Sequence, residues 1–202
     1  VSIEIFSGKK VNHYDCDDTF GGYAMYKGKR VTLRAVEQED IPEILRHFND
    51  IEVRRYLHMI TPVSAEEEEK WIQNLTQQRK AGTAYLFAIE LQKPKLFLGV
   101  CGLLRLDWIH RSAELGISLN NKQYWGKGLG TEAIHLIVKF GFNILNLHRI
   151  YLTLFEDNLR AQRVYEKVGF TKTGRQRECI RRMGRYFDLF TMDLLAGEYR
   201  KS

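Results

Sequence analysis

From Arg30 onward the chain alternates between two-residue and 3.6-residue hydrophobic periods, so strands and helices interleave. Val31, Leu33 and Ala35 alternate as a first strand. Ile41, Ile44, Leu45 and Phe48 form a helical stripe behind Pro42, and Asp40 with Glu43 predicts a capping box at its start. Ser64 with Glu67 predicts a second box, opening a helix that carries Trp71, Ile72 and Leu75. The acidic run 66–69 falls in the first turn of that helix, where it complements the helix dipole. Three strand-like runs follow at 85–90, 96–106 and 112–119. Turns at Lys93-Pro94 and His110-Arg111 join them as an antiparallel meander.

The second half repeats the alternation. Ile134, Ile137, Val138, Gly141 and Leu145 carry a helical period, residues 149–155 read as a strand, and 158–168 read as a helix. Ala161, Val164, Tyr165 and Val168 share one face of that helix, Gly169 closes it, and Phe170 opens another strand. A final hairpin returns along residues 187–194. The pattern predicts an α+β fold, a mixed sheet flanked by helices, and not an all-β fold or a helical bundle. Residues 1–24 fit it poorly. They are expected to be an N-terminal appendage that is not native, with a single domain over 25–202 and translation starting at Met25. Gly21-Gly22 is compatible with a purine-rich ribosome-binding sequence just upstream of that codon. Endogenous protein whose mass includes residue 1 would contradict this, and a real extra strand at 2–6 is the competing reading.

Composition narrows the class. The 202 residues suffice for a full core, and 44% hydrophobic with 28% charged residues is ordinary for a globular chain. No uninterrupted apolar run has the roughly 18–20 residues of a membrane span. Asp15, Asp17 and Asp18 stand where a secretion signal needs an apolar core. Cys16, Cys101 and Cys179 have neither disulfide-framework nor metal spacing, which points to a reducing, cytoplasmic compartment. His47 and His135 have no partner at metal spacing either, so no metal is expected. The net charge of +6 suits an anionic ligand or partner. With no basic motif interleaved by aromatics, nucleic acid is not the expected partner.

Candidate chemistry concentrates at residues 123–133, Gln-Tyr-Trp-Gly-Lys-Gly-Leu-Gly-Thr-Glu-Ala. Glycines on alternate positions followed by a helix start make a turn whose backbone N–H groups converge on an anion. The P-loop string is missing around Lys127, and Thr131 stands where the dinucleotide fingerprint needs its last glycine. A phosphate or pyrophosphate loop of another kind remains, beside a ligand-free glycine turn.

Two strings in order resolve the choice. Gln123-x-x-Gly126-x-Gly128 followed by Thr131-Glu132-Ala133 resembles the acetyl-CoA pyrophosphate loop of the GNAT acetyltransferase superfamily. Asn158-x-x-Ala161-x-x-Val164-Tyr165-Glu166-Lys167-Val168-Gly169-Phe170 is similar to the motif that follows it there. The resemblance covers about residues 30–199 and includes Gly184-x-Tyr186-x-Asp188, found in a subgroup with ribosomal-protein N-terminal alanine acetyltransferases, spermidine acetyltransferases and antibiotic-modifying enzymes.

The resemblance implies a GNAT fold with a mostly antiparallel sheet, and transfer of acetyl from acetyl-CoA to a primary amine by direct attack in a ternary complex. It implies that the backbone of Gly126, Lys127, Gly128, Leu129, Gly130 and Thr131 holds the pyrophosphate. The Gln123 side chain assists, and Lys127 adds long-range attraction. Ile117, Ser118 and Leu119 would pair with the pantetheine arm as though it were another strand and supply the N–H that faces the thioester oxygen. Asn158 would reach the arm from the other side. Tyr165 would give the departing thiolate its proton, although its place on an apolar helical stripe equally fits a core tyrosine. Glu114 would take the amine's proton through water. Its alternative is a charge pair with Arg105 or Arg111.

The acceptor divides the subgroup. A polyamine nitrogen near pKa 10.4 is free base in only about one molecule in two thousand at pH 7, whereas an α-amine near 7.7–8.0 needs little help. Arg175, Arg177, Arg181, Arg182 and Arg185 crowd the last hairpin and would repel a polycation if they faced the acceptor. They would otherwise hold the CoA 3′-phosphate, an acidic protein or ribosomal RNA, or form a solvated face. Charge therefore favours a protein N-terminal alanine or serine, while Tyr165 favours a small amine, with a polyamine or an antibiotic as alternatives. A non-catalytic acyl-CoA sensor is the reading from another class, and a homo-oligomer stays open.

Overall fold

In the computed structural model, residues 26–57 and 61–199 are described, so the readings of residues 1–24 lie outside them. Seven strands form one sheet: β1 (Val31–Arg34), β2 (Tyr85–Gln92), β3 (Lys95–Asp107), β4 (Ser112–Leu119), β5 (Arg149–Phe155), β6 (Thr171–Arg182) and β7 (Arg185–Leu195). Their order is β1-β2-β3-β4-β5-β7-β6. Every pairing is antiparallel except β4 with β5. The expected meander is β2 to β4, with the first strand β1 paired along its outer edge, and the expected closing hairpin is β6–β7. The described helices are α1 (Ile41–Phe48), α2 (Ile51–Arg54), α3 (Ala65–Ala81), α4 (Leu129–Asn143), α5 (Leu159–Val168) and α6 (Ala196–Tyr199).

Helix α4 is the central packing element. Its Ile134, Ile137 and Val138 are fully buried in one cluster with Leu98, Leu103 and Ile150 of the sheet. Gly141 brings the helix close, since a Cβ there would lie 2.7 Å from Ile150 Cδ1 and 2.9 Å from Leu103 Cδ1. A second cluster collects Ile44, Ala88 and Phe97, with Trp71, Ile72 and Leu75 of α3 packed against it. Burial of this kind, at about 25 cal/mol per Å² of apolar surface, is the main term holding the layers together.

Local signals are met unevenly. Ser64 and Glu67 form the expected box: the Glu67 N–H donates to Ser64 Oγ at 3.2 Å, and the Ser64 N–H donates to Glu67 Oε2 at 2.7 Å. Asp40 does not cap α1. Its carboxylate takes the fork of Arg34, at 2.8 and 2.7 Å, and the N–H of Glu37 at 3.0 Å. A charge-assisted fork outcompetes a single neutral capping bond, and Glu43 turns instead to Arg46 and His47. The acidic run holds a second departure. Glu68 is buried, and that burial, with the charge of Glu67, pushes its pKa up.

The feature that positions the site is a break in pairing. Strand β4 follows β3 from Glu114 to Leu119, and β5 follows β7 over its whole length. Yet β4 meets β5 only at Ser112↔Arg149, Ala113↔Ile150 and Glu114↔Tyr151. Beyond that point the two strands diverge, and each leaves one backbone edge facing a gap in the middle of the sheet.

Candidate active site

The gap opens into a cleft of about 970 Å³ lined by residues 114–119 of β4, Thr153, Leu154 and Phe155 of β5, the glycine loop and one face of α5. A buried strand edge carries unpaired N–H and C=O groups, so this cleft suits a ligand that is itself extended and amide-bearing. Ile117, Ser118 and Leu119 all line it. The Leu119 carbonyl already accepts from the Trp125 indole N–H at 2.7 Å, which ends the open edge at that residue.

At one end stands the loop that leads into α4. Gly126 and Gly128 have φ of +72° and +77°, a conformation only glycine adopts without strain. Gly130 is needed for space, because a Cβ there would sit 3.0 Å from Leu119 Cδ1. Gly128 caps α4 without any side-chain hydrogen bond, and the first backbone bond of the helix runs from the Glu132 N–H to the Gly128 carbonyl at 3.1 Å. The N–H groups of Leu129, Gly130 and Thr131 thus stay available at the positive end of a 15-residue helix dipole. Gly126, Gly128, Leu129, Gly130 and Thr131 line the cleft; Gln123 and Lys127 are exposed and do not. The Lys127 ammonium lies over the Tyr124 ring, 4.9 Å from its centroid, so its contribution is long-range at most.

A buttress absent from the sequence reading sits behind this loop. The Arg30 guanidinium donates to the Lys127 carbonyl at 2.8 Å, while Glu132 Oε1 accepts from the Arg30 N–H at 2.7 Å and the Val31 N–H at 3.2 Å. Partial burial works against the Glu132 charge, yet these amides and the guanidinium hold its pKa below the usual carboxylate range. The signal was present, since Glu132 belongs to the quoted motif, but its partner lies about a hundred residues away. Arg160, stacked 3.9 Å from the Trp125 centroid, was missed too, and with Arg163 and Lys167 it gives the α5 wall of the cleft its positive charge.

In the middle of the cleft, Tyr165 is 8% exposed, packs edge-on to Phe170 at 5.9 Å and lines the cavity. It is therefore both a core residue and a cleft residue. Burial pushes its pKa up to about 12, so the phenol stays protonated at neutral pH. Asn158 caps α5, its Oδ1 accepting from the Ala161 N–H at 3.2 Å, and its NH₂ is the half left for a ligand. Glu114 also lines the cleft and pairs with Arg105, not Arg111, whose guanidinium donates to the Asn146 carbonyl. In that pair the Glu114 side chain is 14% exposed and that of Arg105 is 75% exposed.

The arginine cluster disperses, and none of its five members lines the cleft. Arg175 pairs with Asp188, and Arg182 donates to the Arg55 carbonyl at 2.7 Å. Among the described residues no cysteine lines the cleft; Cys101 is buried and its thiol pushed well up, while exposed Cys179 lies on β6. Among the described residues no group of three His, Cys, Asp or Glu could hold a metal ion, and no helix is long and apolar enough to cross a membrane.

An open strand edge, a helix N-terminus without a side-chain cap and a protonated phenol lining the same cleft suit a long amide-bearing ligand that carries phosphate. The chain belongs to the GNAT acetyltransferase family, whose domain profile matches residues 30–171. It is an acetyl-CoA-dependent N-acetyltransferase. It is 32% identical over 174 residues to the spermidine N(1)-acetyltransferase of Vibrio cholerae, a match covering 84% of this chain and 95% of the relative. It is 29% identical over 171 residues to the N-acetyltransferase p20 of Bacillus licheniformis, covering 85% and 96%. The crystal structure of Vibrio cholerae spermidine N-acetyltransferase with CoA and spermine superposes with a TM-score of 0.77 at 30% identity, covering 86% of this chain and 99% of that one.

Proposed function

We propose that this enzyme acetylates a primary amine of a small polyamine-like cation, with Tyr165 as proton donor and Glu114 as proton acceptor. The observation that carries the acceptor class is the placement of charge. The five hairpin arginines, the reason to prefer a protein N-terminus, stay outside the cleft, whereas the carboxylates of Glu114 and Glu52 line it. The spermidine acetyltransferases among its relatives support the same reading.

Acetyl-CoA supplies the activated acetyl group. Gly126, Gly128, Leu129, Gly130 and Thr131 bind its pyrophosphate, each charge-assisted bond contributing about 1.5–3 kcal/mol. The edge of Ile117 and Ser118 orients the amide arm, and the Asn158 NH₂ holds it from the α5 side. Glu114 accepts a proton from the incoming ammonium, a need set by an amine pKa near 10.4. The exposed Arg105 swings away as the cation takes its place. The Tyr165 hydroxyl donates to the sulfur as charge grows there. A phenol near 12 releases its proton less readily than a thiol near 8.5. Its first contribution is thus the hydrogen bond; the proton follows as the N–C bond forms and the C–S bond breaks, and the second proton released by the attacking nitrogen restores the phenol.

Replacing Tyr165 by Phe should lower kcat by about a hundredfold, the lower end of general acid catalysis, while the Kd for acetyl-CoA by calorimetry stays within about twofold of wild type. Unchanged turnover would remove Tyr165 from the mechanism.

A further inference from the structure

Residues 50–57 form a strap along one side of the cleft, held mainly by charged groups. Val53 is its buried apolar residue, whereas Ile51 is 77% exposed and Tyr56 and Leu57 are half-buried. On the α5 side, Arg55 pairs with Asp157 at 3.1 Å, and the Arg182 guanidinium donates to the carbonyls of Arg54, Arg55 and Leu57. On the phosphate-loop side, Lys122 Nζ reaches Asp50 Oδ2 at 2.8 Å and Glu52 Oε2 at 2.9 Å. Within the strap, Arg54 is buried, and its Nε and Nη2 have no hydrogen-bond partner among the described residues. An uncompensated buried charge weakens that seat. The strap is therefore a marginally seated element tied to both walls of the cleft.

Lys122 has a particular position among these ties. It opens the 3₁₀ turn Lys122–Tyr124, and that turn runs directly into Trp125 and Gly126 of the phosphate loop. On the other side of its ion pairs, Glu52, Val53, Tyr56 and Leu57 line the same cleft as Glu114 and Arg105. One side chain thus joins the part that binds pyrophosphate to the part that closes over the amine.

We propose that Lys122 is a positioning residue that couples occupation of the phosphate loop to seating of the 50–57 strap over the acceptor. The inference rests on the acceptor end being assigned to Glu114. Pyrophosphate binding immobilises the glycine loop and the turn before it. An ammonium already held in place loses less freedom on joining two carboxylates, so its attraction for Asp50 and Glu52 is spent on the strap. Exposed pairs are individually weak, and a small bias suffices because the seat is itself marginal. The amine site is completed after the cofactor has bound, and the strap excludes water from it.

Amide hydrogen exchange with and without saturating CoA tests this without reference to the acceptor. In the wild type, CoA should slow exchange at residues 126–132 and also at 50–57, the latter by about threefold, the size open to an exposed charge fork. Lys122→Met should keep the first effect and lose the second, and Lys122→Arg should keep both. With the preferred amine, Lys122→Met should raise the acceptor KM by about threefold at unchanged kcat. Equal slowing of 50–57 in wild type and Lys122→Met, or none in wild type, would overturn the coupling. Absence of slowing at 126–132 in the wild type would overturn the cofactor-site reading, and this inference with it.

Discussion

Gly126, Gly128 and Gly130 alternate in sequence, but two are required by backbone conformation and the third by the proximity of Leu119. Gly128→Ala places a Cβ at φ +77° and about 3.3 Å from the Arg30 guanidinium. The left-handed penalty of roughly 1–2 kcal/mol should appear as a weakening of about tenfold in acetyl-CoA Kd, measurable by calorimetry, with kcat at saturation little changed. Gly130→Ala meets the side chain of Leu119, which can shift, and should cost less. The loop itself was legible because glycine alternation before a helix has a physical meaning that needs no partner. Tyr165 was legible only through its motif: spacing alone placed it on an apolar stripe, and the structure shows both aspects at once. Membership of the motif does not aim a side chain: Gln123 and Lys127 are exposed and do not line the cleft, and the Lys127 ammonium lies over the Tyr124 ring.

At the scale of elements, period and capping signals located nearly every strand and long helix. One failure falls where a residue had a better partner outside its own helix, as Asp40 has in Arg34 of the preceding strand. Helix α2 went unseen because four residues, two of them charged, are too few to carry a period. The divergence of β4 from β5 was invisible for another reason: alternation identifies a strand but not where its neighbour leaves it. Helix α3 makes a testable case of the acidic run, which looked like a solvated first turn. Burial, then the neighbouring Glu67 charge, raises the folded-state pKa of Glu68 above its unfolded value. The protonated carboxyl is therefore favoured by folding, and stability is lost as pH rises through that raised pKa. Glu68→Gln should raise the melting temperature at pH 8 by about 2 °C, a gain that shrinks as the pH falls through the raised pKa. A gain independent of pH would contradict the burial argument.

Across the whole molecule, the net charge of +6 pointed away from a polycationic substrate, and the fold alters its meaning. Charge summed over a chain describes its far field, whereas a substrate meets the groups in the cleft. Arg160, Arg163 and Lys167 belong to the wall where CoA phosphates are expected, and of the hairpin arginines Arg175 turns to Asp188 and Arg182 to the carbonyls of the 50–57 strap. What is left in the cleft is Glu114 with its exposed partner Arg105, and Glu52 with its partner Lys122. Sequence gave the donor chemistry through two motifs. It could not give the acceptor, because the residues proposed to meet it come from α2, β3 and β4, which share no motif. The most direct measurement is CoA thiol release by the wild-type enzyme at equal concentrations of spermidine, an aminoglycoside and N-terminal Ala and Ser peptides. The account predicts that kcat/KM for spermidine exceeds that for the other acceptors by at least about tenfold, or about 1.4 kcal/mol. Faster turnover of the peptides, with spermidine inert, would contradict it.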